Sequence, residues 1–171
     1  VMNVLGDLTI DGHLRLEDNG LTTVTALELD GAVNYHGAGT FETTNNLQNR
    51  ILGKVGASLT INDNLNVTGI NGAHGGLQIS GFDVTNNASI VADNARIRIG
   101  EATYANDAGT FSAINNSDIE LDTGITINGG HLMSDATSRF VALGGSGIVL
   151  DDVSLDAGSE FVIAGNTSVD L

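Results

Sequence analysis

No proline occurs anywhere in this chain of 171 residues, although average usage would supply about eight or nine. Proline cannot donate to a β ladder and is confined to sheet edges and bulges. Its absence suits a fold in which nearly every strand has a neighbour on both sides. Cysteine is absent too, which excludes disulfides, thiolate metal ligands, redox pairs and thiol nucleophiles. Trp is missing and aromatics make up 4 % of the residues, so the core has to be built from Leu, Ile, Val and Ala. Small side chains of that kind suit a narrow core repeated along an axis. Basic residues are equally scarce. There are 6 Lys and Arg against 21 Asp and Glu, a formal net charge of −15, and Lys54 is the only lysine. Such a chain has no basic stripe to neutralise phosphates, which argues against nucleic acid and against anionic membrane surfaces. No apolar run approaches the ~18–20 residues of a membrane-spanning helix, so no membrane insertion of that kind is expected.

What is present is one small figure repeated fifteen times: an aliphatic or Phe, one spacer, another aliphatic. Leu8-Thr9-Ile10, Leu59-Thr60-Ile61, Ile97-Arg98-Ile99 and Ile125-Thr126-Ile127 are examples. The spacer is polar in all but three of the fifteen. This is period 2 in short form, two residues facing in and one facing out. Between the figures, 23 Gly and 18 Asn punctuate the chain. Both residues tolerate the left-handed conformation that sharp corners need. The pattern predicts many short strands wound into stacked coils. Only Leu47 to Val55 lacks the alternation, and it reads as a loop or a single helical turn.

Internal echoes point the same way. Phe-x-x-x-Asn-Asn occurs at Phe41 to Asn45-Asn46, at Phe82 to Asn86-Asn87 and at Phe111 to Asn115-Asn116. GTFETTNN from Gly39 and GTFSAINN from Gly109 are 70 residues apart, and LTINDNL from Leu59 and ITINGGHL from Ile125 are 66 apart. A duplicated segment of about three coils explains both spacings. Phe41, Phe82 and Phe111 are expected in the core. Asn45, Asn46, Asn86, Asn87, Asn115 and Asn116 are expected at corners, where amides can bond backbone groups and the equivalent residue of the next coil.

Short aliphatic–x–aliphatic strands, Asn- and Gly-rich corners, no Cys, scarce Lys and echoes of G-T-F-x-x-x-N-N resemble the right-handed parallel β-helices of bacterial surface and secreted proteins. Adhesins, autotransporter passengers and haemagglutinin-type repeats are the nearest group, and the resemblance covers the whole chain. It implies a right-handed parallel β-helix of about seven or eight coils, extracellular or at the cell surface. Neither the strict hexapeptide repeat of left-handed β-helices nor the G-G-x-G-x-D repeat of calcium-binding rolls is present.

Chemistry-bearing constellations are few. Asp63 between Asn62 and Asn64, and Asp151 and Asp152 with Asp156, offer oxygen ligands that calcium could use. No EF-hand spacing exists, and acidic turns are usually solvated turns. Arg96 and Arg98 share one side of the strand ARIRIG. Pectate-lyase-type enzymes place Arg or Lys beside acidic calcium ligands on such a face, whereas the plain expectation is an ion pair with Asp or Glu of an adjacent coil. His13, His36, His74 and His131 are scattered, without metal-ligand spacing. No nucleophile elbow, P-loop or dinucleotide fingerprint occurs.

The expectation is therefore one β-solenoid domain over residues 1–171, or a segment of a longer solenoid, with no enzyme chemistry and no cofactor beyond a weak case for calcium. Both ends are already in strand pattern with no cap in view, so continuation into further coils or end-to-end self-association is expected. The leading role is structural or adhesive, as a stalk or filament subunit. The alternative is a carbohydrate-binding or polysaccharide-degrading β-helix, including a phage-type receptor-binding segment. Glycan binding would need an aromatic-lined groove, to which Tyr35, Tyr104 and a few Phe could contribute.

Overall fold

The aliphatic–x–aliphatic figure becomes strand almost wherever it occurs, because period 2 sets both aliphatics on one side of the pleat. The computed structural model describes residues 1–18 and 24–171. In chain order the strands are β1 (Met2–Thr9), β2 (His13–Leu16), β3 (Thr25–His36), β4 (Thr40–Thr43), β5 (Asn49–Gly53), β6 (Ser58–Ile61) and β7 (Leu65–Gly69). They continue as β8 (Gly75–Ser80), β9 (Asp83–Asn86), β10 (Ser89–Asp93), β11 (Ala95–Gly100), β12 (Ala102–Ala105), β13 (Thr110–Ile114) and β14 (Asp118–Leu121). The last are β15 (Ile125–Asn128), β16 (His131–Ser134), β17 (Arg139–Ala142), β18 (Gly145–Asp151), β19 (Ser154–Leu155), β20 (Phe161–Ile163) and β21 (Thr167–Asp170). No α-helix occurs among the described residues. A 3-10 turn at Ile70–Gly72 has Asn71 in the left-handed region, at φ 55°.

Every strand pairing is parallel, and partners lie one coil apart. The strands form three faces. The first holds the leading halves of β1 and β3, then β5, β8, β11, β14, β17 and β20. The second holds the trailing halves of β1 and β3, then β6, β9, β12, β15, β18 and β21. The third holds β2, β4, β7, β10, β13, β16 and β19. Because β1 and β3 run round the corner, the first two faces count as one 14-stranded sheet beside a separate 7-stranded one. The fold is an all-β parallel solenoid of about seven turns. Coil length drifts: Gln78 stacks on Arg50, 28 residues earlier, whereas Ala95 stacks on Gly75, only 20 earlier.

The core is a column of like side chains. Ile97 sits between Leu77 and Ile119 on the first face, and Phe111 between Ile90 and Leu132 on the third; all are fully or almost fully buried. Phe41 and Phe111 both lie on the third face, three coils apart, the span of the GTF echo, but in neighbouring columns: Phe41 is in line with Val67, Ala92 and Ala113, and Phe111 with Ile90 and Leu65. Phe82 is buried too, but it lies just before β9, at the corner from the first face to the second. Its side chain occupies the space above Gly53, where an added Cβ would lie 2.6 Å from the Phe82 Cβ and 2.9 Å from the ring.

Two expectations are corrected here. Leu47 to Val55 is neither a loop nor a helical turn through its middle, since Asn49–Gly53 is β5, with Ile51 buried and ladders to β3 and β8 on both sides. Two flanking ladders outweigh weak local alternation. Tyr35 and Tyr104 are 1 % and 0 % exposed, so neither can line a surface groove for sugars. They pack on Phe41 and Phe111, at centroid distances of 6.0 and 5.5 Å. Burial pushes the Tyr104 hydroxyl far above the usual phenol range.

Candidate functional site

The polar chemistry of this molecule lies between coils. At the corner from the second face to the third, Asn86 and Asn106 are 1 % and 0 % exposed. Asn86 Nδ2 donates to Asn106 Oδ1 at 2.7 Å, and Asn106 Nδ2 donates to the Gly129 carbonyl of the next coil at 3.1 Å. Room for this amide ladder comes from glycine. A Cβ on Gly130, whose φ is +76°, would lie 2.2 Å from both the Asn106 carbonyl oxygen and its Nδ2. Asn87, next to Asn86, is exposed and donates to Asn62 Oδ1 at 3.1 Å.

The other two Asn pairs sit at the corner from the third face to the first. Asn115 and Asn116 are exposed and both left-handed, at φ 57° and 64°. The coil above clasps them: Asn115 N–H donates to Asp135 Oδ2 at 2.7 Å, and Asn116 N–H donates to Thr137 Oγ1 at 3.0 Å. The Asn115 amide in turn reaches Asp93 of the coil below at 2.7 Å. Held chiefly by the Asn115 N–H, and also by Ser138 and Thr137, the Asp135 carboxyl titrates low, at about 2. In the first copy, Asn45 is exposed, while Asn46 bonds the buried Asp18 carboxylate and accepts from Gln48 N–H at 2.9 Å.

Several ladder residues carry no sign in the local motifs. Asn49 is fully buried and donates to the carbonyls of Thr44, Asn46 and Gly76. The hydroxyls of Ser117, Ser138 and Ser159 accept from the N–H groups of Ala95, Ser117 and Ser134, each one coil earlier. Their even spacing, one coil of 21 residues each with an aliphatic or Phe two places on, is the signal that would have found them.

On the first face, Arg98 is in register with Glu120 and pairs with it at 2.7 Å; the side chains are 30 % and 11 % exposed. Arg139 takes Asp118 at 3.0 Å. Arg96 is in register with Asp118 but makes no ion pair with it, and its Nε is buried without a hydrogen-bond partner. The two arginines of ARIRIG therefore have separate surroundings and do not converge with carboxylates on one point. On the third face, Glu42 holds both Arg15 and His13. Lys54 pairs with Asp30 at 2.7 Å.

The residues considered for calcium lie apart in the fold. Asp63 caps the Gly37 N–H at 3.0 Å and faces His36 at 3.7 Å. Asp156 faces His131 at 2.8 Å, and Asp152 is a left-handed corner residue at φ 54°, next to Asp151 at the end of β18. Among the described residues no three His, Asp or Glu side chains gather closely enough to hold a metal ion. His74 Nε2 lies 3.2 Å from the Asn116 carbonyl.

Among the described residues the surface clefts include three of note. Two are polar furrows, one of about 240 Å³ beside Asp63 and one of about 290 Å³ between Gln78, Ser80, Glu101 and Asp122. The third, of about 460 Å³, is apolar and lies at the last coil, among Leu132, Leu155, Phe161, Ile163 and Val169. What fold and contacts define is a class of architecture, a three-faced parallel β-solenoid with polar ladders at its corners. Comparison with known proteins finds no matching family, no matching curated sequence and no matching solved structure.

Proposed function

We propose that this protein is a structural β-solenoid of the cell surface or extracellular space, a stiff stalk or filament subunit. One observation carries the reading: among the described residues, most side-chain hydrogen bonds and all but one of the arginine and lysine ion pairs join one coil to the next. Much of the charge and amide chemistry is thereby committed to stacking, which leaves no hinge between coils among the described residues. An aliphatic column at roughly 25 cal/mol per Å² of apolar surface supplies the drive, and contacts between neighbouring coils supply cooperativity. The high acidic charge keeps such rods apart sideways.

Force spectroscopy on the protein tethered at both ends tests the mechanical half of this reading. A rod that holds its length under load and then yields in steps of one or more coils is the expected result. Gradual polymer-like extension at low force contradicts it. Antibody labelling of the producing cells tests location. Label on intact cells is expected, and label seen only after permeabilisation contradicts surface display.

A further inference from the structure

Asn is followed by Gly at Asn19, Asn71 and Asn128. Asn19 lies outside the described residues, and the other two sit in opposite surroundings. Asn128 ends β15, with Ala105 and Asp151 as its ladder neighbours on either side. Its carbonyl accepts from Asn106 N–H at 2.8 Å, and Gly129 N–H donates to the Asp151 carbonyl at 2.7 Å. Gly129 is buried, and a Cβ there would lie 2.3 Å from the Asp107 carboxylate. Asn71 belongs instead to the 3-10 turn that carries the chain from β7 to β8. Asn71, Gly72 and Ala73 are all exposed, and Asn71 and Gly72 are both left-handed, at φ 55° and 76°. A Cβ on Gly72 would meet nothing within 4 Å. Ala73 N–H donates to the Ile70 carbonyl at 3.1 Å. From the next coil, Asn94 Nδ2 clasps the turn through the carbonyls of Gly72 and Ala73, at 3.2 Å each.

We propose that Asn71 is a site of spontaneous covalent modification, deamidating by attack of the Gly72 nitrogen, and that Asn94 restrains its rate. Glycine, lacking a Cβ, lets its own nitrogen approach the preceding side chain. The Gly72 nitrogen gives up its proton to solvent and bonds to Asn71 Cγ. The Cγ–Nδ2 bond breaks, and the amide nitrogen leaves as ammonia with a proton from solvent. Water then opens the resulting succinimide at either carbonyl, which leaves aspartate or isoaspartate at position 71; nothing is oxidised or reduced. Attack requires the Asn71 ψ to swing away from 32°. An exposed turn makes that swing locally, whereas Asn128 makes it only by opening ladders on both sides. The product carries one more carboxylate and, in the isoaspartyl form, one more backbone carbon. Both changes fall at the corner from the third face to the first, where Gly75 N–H donates to the Asn94 carbonyl at 2.9 Å.

The test is peptide mapping by mass spectrometry of the 171-residue chain after long incubation at mildly alkaline pH, folded and in urea. In urea both dipeptides should convert at similar rates, since the fold no longer separates them. In the folded protein Asn71 should convert at least about tenfold faster than Asn128. Equal rates in the folded protein, or an Asn71 that stays intact while the urea-treated chain converts, overturn the proposal. Asn94→Gly removes the clasp and keeps a residue suited to the left-handed backbone at φ 50°. It should speed conversion of Asn71 about two- to tenfold and leave that of Asn128 unchanged. Asn94→Asp, which replaces the donating amide by a carboxylate, should do the same. No acceleration at Asn71 in either variant, or equal acceleration at Asn128, overturns the role given to Asn94.

Discussion

Replacing Asn106 with Ala removes the central rung of the Asn86–Asn106 ladder. Two buried groups lose their best partner, the Asn86 Nδ2 that donates at 2.7 Å and the Gly129 carbonyl that accepts at 3.1 Å. A buried polar group left unpaired costs about 1–3 kcal/mol, so the substitution should destabilise by about 2–5 kcal/mol. For a chain of this size 1 kcal/mol moves Tm by about 2–4 °C, which predicts a fall of about 4–20 °C. Asn87→Ala is the control. Its amide also bonds an Asn one coil away, at 3.1 Å, but in solvent, and exposed substitutions of this kind stay within about 0.5 kcal/mol. Thermal melts by circular dichroism compare the two, and hydrogen exchange locates the damage. The amides of Gly109 and Asn106, which donate to the carbonyls of Asn106 and Asn128, should lose protection first. Equal melts for the two variants, or an Asn106→Ala protein as stable as the parent, would refute the assignment of the ladder as a stabilising element.

Further outcomes follow from the same contacts. Arg98→Ala leaves the nearly buried Glu120 carboxylate without its partner at 2.7 Å, so a loss of about 1–3 kcal/mol is expected. Lys54→Ala, whose ion pair lies in solvent, should leave the same urea titrations close to those of the parent. Gly130→Ala places a methyl 2.2 Å from Asn106 atoms at a left-handed position, and should cost about 2 kcal/mol or more. Asp135 should titrate at about 2 by carboxyl-resolved NMR. Because its folded value lies below its unfolded one, its contribution is whole above about pH 4 and disappears as the pH falls through about 2. Asp135→Asn should flatten that part of the acid stability curve, and an ordinary carboxyl titration near 4 would remove the basis for it.

The strands were legible because an aliphatic–x–aliphatic figure has one reading when it recurs between Gly and Asn. The stacked-coil class followed from the missing proline and the sparse aromatics. Partner identity was less legible. Coils here range between 20 and 28 residues in register, so no fixed period tells which Arg meets which Glu. The Asn-Asn motif illustrates the limit. Phe41 and Phe111 lie on the same face but two register places apart, and the matching string at Phe82 starts at a different corner and carries its Asn pair to another edge. Of the six Asn singled out by the motif, only Asn86 is buried, while Asn49 and Asn106, outside it, are fully buried. Burial of an Asn depends on which glycine of the next coil leaves room for it, and that is a property of register. β5 was hidden for a related reason, since its strand character comes from the neighbours on both sides.

The account turns on a rigid stack of coils in fixed register, and the absence of native cysteine makes a distance measurement clean. Spin labels on Asn34→Cys and Asp151→Cys would sit on exposed positions of one second-face rank, linked through Thr60, Thr85, Ala105 and Asn128. Five strand spacings separate them, about 24 Å at ~4.8 Å each. Pulsed electron–electron resonance should return one narrow distribution near that value. A broad distribution, or one centred well beyond label reach of it, would contradict the rigid solenoid and the structural role built on it.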